Sequence, residues 1–165
     1  DLHAAGHEIA CHSHSHPDFQ DLSANQMMQE IKQNSAYVRS LGLPDPTNFA
    51  YPLGNINLTA KRVTSGYYES CRGVKSGINA GPVDLGHLRA TRLFAHQYKK
   101  SRVTDLLDKV RRDGGWLIFF THGVNNDPGE VDVRPNQLKE VLKEAAFRDL
   151  PVVTVAEALR RYRGK

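Results

Sequence analysis

An α/β fold built from βα units, as a parallel sheet or a barrel, is what this sequence predicts. Segments with the two-residue period of strands alternate with segments of 3.6-residue period along the whole chain. No internal repeat, low-complexity stretch or interdomain linker interrupts that alternation, so the 165 residues read as one domain. The residues able to do chemistry fall directly after strand candidates, which is where open α/β sheets and barrels gather their sites.

The elements follow in order. Glu8–Cys11 is a short strand candidate. Ser23 to Gln26 fits a capping box that opens a helix carrying Met28, Ile31, Val38 and Leu41, with Gly42 and Pro44 as its stop. Asn48–Tyr51 reads as a strand closed by Pro52 and Gly54, Leu58–Ser65 as a helix stopped by Gly66, and Tyr67–Cys71 as a strand. Residues 76–86, with three glycines and one proline, read as a loop, and Leu88–Phe94 as a strand. A helix over Arg102–Arg112 has Val103, Leu106, Leu107 and Val110 in one stripe and ends at Gly114-Gly115. Trp116–Phe120 is expected to be a fully buried strand. A helix with Leu138, Val141, Leu142 and Ala145 follows, then a strand over Pro151–Val155 and a helix over Ala156–Tyr162.

Composition bounds the function. Apolar residues make up 39% and charged residues 24%, which argues against disorder. No apolar run is long enough to span a bilayer. The net charge of +4 owes part to the tail Arg160–Lys165, read as a solvated end because no aromatic–basic nucleic-acid motif accompanies it. Cys11 and Cys71 do not make a disulfide framework or a zinc ribbon, leaving one optional bridge open and the compartment unassigned.

Three loops can carry chemistry. His12-Ser13-His14-Ser15-His16 follows the first strand candidate. One helical turn would bring His12 and His16 to the same side, with Pro17 ending it. Neutral imidazoles suit zinc, cobalt and nickel, although a histidine-rich surface loop is the plainer reading. Phe49–Gly54 reads by itself as a Pro-Gly turn, and otherwise as a tight loop offering a backbone N–H to an oxyanion. His122, at the end of the Trp116–Phe120 strand and before Gly123, could serve as a general acid.

Taken together, these loops resemble the polysaccharide deacetylases of carbohydrate esterase family 4, which carry the NodB homology domain. Gly6–Asp18 is similar to the family's His-[Ser/Thr]-x-x-His-Pro motif with its Gly-His-Glu-Ile lead-in. Phe49–Gly54 resembles the Phe-Ala-Tyr-Pro-x-Gly form of the third motif, and Leu117–His122 the fifth. The resemblance runs from Gly6 to about Leu159. It implies a distorted (β/α) barrel, here incomplete at its N-terminus and lacking the first strand and helix. It also implies hydrolytic N-deacetylation of N-acetylglucosamine units in a glycan. His12 and His16 would hold one divalent metal ion, zinc first, with cobalt or nickel as substitutes. Leu53 would give its backbone N–H to the oxyanion, His122 would be the general acid, and Tyr51 and Pro52 would touch substrate. The partner is an N-acetylated glycan, with no nucleic acid, no membrane span, and an oligomeric state left open.

The chain contains no Thr-Phe-Asp-Asp, the family motif that supplies the base and the third metal ligand. Asp18 or Asp21 could complete the ligand set, without precedent in the family. Ala50 stands where many members have an arginine. The fourth motif has no clear match, Asp84 and Arg89 lying in its region. A catalytically silent glycan- or metal-binding remnant is therefore the alternative to an enzyme.

Overall fold

The computed structural model describes residues 2–164. In chain order its elements are α1 (Ala24–Ser40), β1 (Asn48–Ala50), α2 (Leu58–Ser65), β2 (Ser70–Arg72), β3 (Ile78–Asn79), β4 (Thr91–Arg92), α3 (Lys100–Asp113), β5 (Trp116–Leu117), β6 (Phe119–Phe120), α4 (Pro135–Phe147) and α5 (Val155–Arg163). They fall into two compact units. The first holds Asp1–Gly73, Asp84–Leu88 and Thr154–Lys165, the second Val74–Val83 and Arg89–Val153. Among the described residues, no helix is long and apolar enough to cross a membrane.

The first unit is organised by parallel pairing. Phe49 of β1 sits opposite Cys71 of β2, Cys11 bridges to Phe49 from the other side, and Leu88 bridges to Arg72. Cys11 takes part through both backbone groups: its N–H donates to Asn48 O and its C=O accepts from Ala50 N–H, each at 2.9 Å. Because these segments run parallel, the residues that follow Cys11 and Ala50 leave the sheet at one edge. That edge carries the histidine loop and the Tyr51–Gly54 turn.

Below the sheet lies an aromatic core. Phe49 packs on Phe19, Tyr51 and Tyr68 at ring separations of 5.2, 5.2 and 5.1 Å. From α1, Met27 and Ile31 close the cluster, with Ala60 from α2. Cys11 and Cys71 are both buried and free. They flank Phe49 across two strand spacings, roughly 9–10 Å, beyond the reach of a disulfide. Burial pushes both thiols up, away from the reactive thiolate.

Helix α1 starts as its sequence predicts. Ser23 accepts from Gln26 N–H while the Gln26 side chain accepts from Ser23 N–H. It ends where Gly42 takes φ +75°, letting Leu43 N–H reach back to Val38 O. Its buried stripe is Met27, Ile31 and Val38, whereas Leu41 lies beyond the helix and 57% exposed, and Met28 is only half-buried. Asn57 caps α2 by accepting from Ala60 N–H at 2.8 Å, and Thr154 caps α5.

The second unit packs α3 and α4 over short strands. Leu93, Val103, Leu107, Val133, Val141 and Ala145 form its core. β3 pairs antiparallel with β5, and β4 parallel with β6. The expected buried strand over Trp116–Phe120 is instead two two-residue strands on either side of Ile118, half-buried throughout. Leu117 and Phe119 face the core, so the two-residue period turns Trp116, Ile118 and Phe120 to the other face. The glycine before this segment is required: a Cβ on Gly115 would stand 2.5 Å from Asn79 O.

Two further expectations fail. Pro151–Val155 forms no strand, because no neighbouring strand pairs with it among the described residues. Val152 and Val153 are 69% and 38% exposed, and Val155 already belongs to α5. The loop over 76–86 contains β3, whose two residues carry too little pattern to announce a strand. The basic tail forms the end of α5, where Arg160 and Arg161 pair with Glu157 and Arg163 with Glu69; Lys165 lies outside the described residues.

Candidate active site

At the end of its strand segment, His12 points its Nδ1 at Ala50 O, 2.7 Å away. A carbonyl can only accept, so Nδ1 carries a proton, and in the neutral ring the lone pair is then on Nε2, the tautomer a metal ligand needs. The His16 ring lies 4.8 Å from that of His12, centroid to centroid, at an interplanar angle of 77°.

The rings do not meet through a helical turn. Ser13 and His16 adopt left-handed backbone, at φ 68° and 60°, and His16 N–H donates to the buried Ser13 Oγ at 3.0 Å. Non-glycine residues in that region cost about 1–2 kcal/mol each, so neighbouring contacts have to hold them there. Those contacts come from α1. Glu30 Oε2 accepts His14 N–H at 2.9 Å and Ser15 N–H at 2.8 Å, and Oε1 accepts the Ser15 hydroxyl at 2.7 Å. Asn34, one turn further, donates to Ser13 O at 2.9 Å. Burial alone would raise the Glu30 carboxyl, but the bonds from Ser15 and His14 outweigh it and hold the group below the usual carboxylate range. Sequence reading missed Glu30 and Asn34; their signal was two polar residues four apart on an otherwise amphipathic helix.

The turn after β1 is the second part of the site. Gly54 N–H donates to Tyr51 O at 3.0 Å, which leaves the Leu53 N–H outside the hydrogen bond that closes the turn. Leu53 has φ 58° and an exposed side chain, so this turn also keeps a strained residue at its tip. Asp18 joins the two loops: one carboxylate oxygen accepts Gln20 N–H at 2.9 Å and the other the Asn55 amide at 2.6 Å. Tyr51 and Pro52, expected to touch substrate, are both buried in the first unit. The Tyr51 hydroxyl bonds Thr64 Oγ1 at 2.6 Å and donates to Gly86 O at 3.1 Å, and burial drives its pKa well above the ordinary phenol. The ring braces the turn rather than facing solvent.

His122 belongs to the second unit. It follows β6, is exposed, and donates its N–H to Val131 O at 3.1 Å. Its ring lies 6.0 Å from Phe94 and 6.5 Å from Phe120. Asp132 accepts from the Asn125 amide at 2.9 Å and from Gly129 N–H at 3.1 Å. The Asn125 bond first, then that of Gly129, with His122 nearby, hold its carboxyl below the usual range. A Cβ on Gly123 would stand 2.6 Å from Asp132 Oδ1 and 2.9 Å from Asn125 Nδ2, so a larger residue would displace these two side chains. Phe94, Asn125 and Asp132 were not assigned from sequence. Of the two residues in the region of the fourth motif, Asp84 pairs with Lys61 in the first unit. Arg89 exchanges backbone bonds with the Asn79 side chain in the second.

The His12–His16 pair offers two imidazoles, the ligand type of a borderline divalent ion, and the bond to Ala50 O orients the first of them. Among the described residues, no group of three His, Cys, Asp or Glu side chains is arranged to hold a metal. Neither Asp18 nor Asp21 completes the set.

Comparison with known proteins bears on the first part of the chain and on the fold. A family model described as polysaccharide deacetylase matches residues 1–67, the span containing the histidine loop and the Tyr51–Gly54 turn. In fold, the chain is similar to a putative polysaccharide deacetylase from Mycobacterium smegmatis, with a TM-score of 0.66 and 14% identity over 99% of this chain and 65% of that one. It is similar also to a family 4 carbohydrate esterase from Streptomyces lividans, solved in complex with acetate, with a TM-score of 0.50 and 22% identity over 89% of this chain and 65% of that one. A third likeness, with a TM-score of 0.59 and 12% identity over 96% and 50% of the chains, is to a mutant of BA3943, a CE4 family pseudoenzyme, with restored enzymatic activity. The chain spans less than two thirds of the length of each. No curated protein matches it. Residues 1–67 carry the polysaccharide deacetylase pattern, and the chain has the mixed α/β fold of the NodB-type deacetylases.

Proposed function

We propose that this chain serves metal-dependent hydrolytic N-deacetylation of N-acetylglucosamine units in a glycan. The observation that carries the reading is the His12–His16 pair, with His12 Nδ1 fixed on Ala50 O at 2.7 Å inside the family-matched span. We take residues 1–165 as one domain of this type, because one fold likeness spans 99% of the chain.

His12 and His16 would supply two imidazole nitrogens to a divalent ion, zinc first, with cobalt or nickel as substitutes. The ion, when bound, polarises the acetamide carbonyl and acidifies the attacking water. The Leu53 N–H would share the charge that develops on the former carbonyl oxygen. His122 would hand a proton to the departing amine, which leaves poorly without one. The base and the third ligand are assigned to no residue of this chain.

Acetate release from N-acetylglucosamine oligomers tests this. Chelation should stop release and zinc should restore it. Release that survives chelation and reloading unchanged would rule the metal out of the reaction. A second reading, a silent domain that binds glycan or metal, is favoured by the lack of a three-residue ligand group among the described residues. It predicts zinc or oligosaccharide binding with no acetate at all.

A further inference from the structure

We propose that Glu30 of α1 is the positioning residue that builds the two-histidine site, acting through hydrogen bonds to the loop and not through its charge. The inference rests on reading His12 and His16 as metal ligands. Glu30 bonds the loop between the two histidines, at His14 and Ser15.

Three donors converge on this one carboxylate. They are His14 N–H at 2.9 Å, Ser15 N–H at 2.8 Å and the Ser15 hydroxyl at 2.7 Å. Two successive backbone amides can point at a single acceptor only where the chain curls around it, and left-handed Ser13 and His16 bracket that curl. Without the acceptor, His14 and Ser15 would turn their amides to water, leaving only the bonds at Ser13 to offset the strain at the two left-handed positions. The loop would relax toward extended backbone, and the imidazoles would no longer sit 4.8 Å apart. Asn34 holds the start of the same curl at Ser13 O, so α1 grips the loop from positions four apart on one helix face.

Chemistry separates geometry from charge. A glutamine at this position can place its carbonyl where Oε2 stands, accepting both amides, and turn its NH₂ to the Ser15 hydroxyl, which can accept. All three bonds survive and the charge is lost. An alanine loses both.

The experiment is zinc titration and amide hydrogen exchange on the full chain, for wild type, Glu30→Ala, Glu30→Gln and Asn34→Ala, with circular dichroism as the folding control. Glu30→Ala should weaken zinc binding about 10–100-fold and abolish protection of the His14 and Ser15 amides. Glu30→Gln should stay within about threefold of wild type and keep that protection, since the outer-shell bonds are intact. Asn34→Ala should fall between them. Unchanged affinity and protection in Glu30→Ala would overturn the proposal. So would a Glu30→Gln variant as weak as the alanine, because that result assigns the effect to charge. If wild type takes up no zinc, the metal reading fails and the affinity claim with it. Exchange protection at His14 and Ser15 then still decides whether Glu30 holds the loop.

Discussion

His122→Ala should slow acetate release from N-acetylglucosamine oligomers by about 10²–10⁴-fold, the worth of a positioned general acid. The loss should depend on the leaving group. An amine departs poorly unless it is protonated as the carbon–nitrogen bond breaks, whereas a nitrophenolate departs without help. A nitrophenyl acetate assayed alongside should therefore lose far less, by about tenfold or under. Equal losses on both substrates would remove the acid role and leave His122 a structural part of its loop. The structure makes the comparison interpretable, because the imidazole is exposed, with the rings of Phe94 and Phe120 at 6.0 and 6.5 Å. Its removal creates no buried cavity in the second unit.

Phe49→Ala should have the largest effect on stability. The ring is 2% exposed and touches Phe19, Tyr51 and Tyr68, so its removal leaves an aromatic-sized hole at the centre of the first unit. Substitutions of that kind cost about 3–5 kcal/mol, a large share of the 5–15 kcal/mol or so that holds a typical domain. The position also connects packing to chemistry. Phe49 immediately precedes Ala50, whose carbonyl orients His12, and it pairs with both Cys11 and Cys71. Urea titration followed by circular dichroism should show the loss, with exchange rising across residues 48–72. A cost below about 1 kcal/mol would contradict the packing described here.

Legibility followed the strength of the local signals. Helices announced themselves through caps and stops, such as the Ser23–Gln26 box, Gly42, Gly66 and Gly114. The structure begins and ends them within two residues of expectation at most of those points. Strands of two or three residues have no room for a period, so β3 was missed, Trp116–Phe120 was read as one strand instead of two, and Pro151–Val155 was read as a strand on apolar character alone. Within the site, the motif pointed to His12 and His16 as a pair, and their rings lie 4.8 Å apart. The means of bringing the rings together was not readable from it. Nothing in Ser13 or His16 as residue types predicts left-handed backbone, which depends on bonds from Glu30 and Asn34 roughly twenty residues on. Tyr51, a motif position read as substrate-facing, is buried beneath the turn it supports, a placement its residue type does not announce.

The central claim is that His12 and His16 hold a divalent ion, and zinc titration of the metal-stripped chain tests it most directly. The account predicts uptake of one zinc per chain in wild type, lost in both His12→Ala and His16→Ala, with folding intact in each. Uptake that survives the loss of both histidines, or no uptake by wild type, would contradict it.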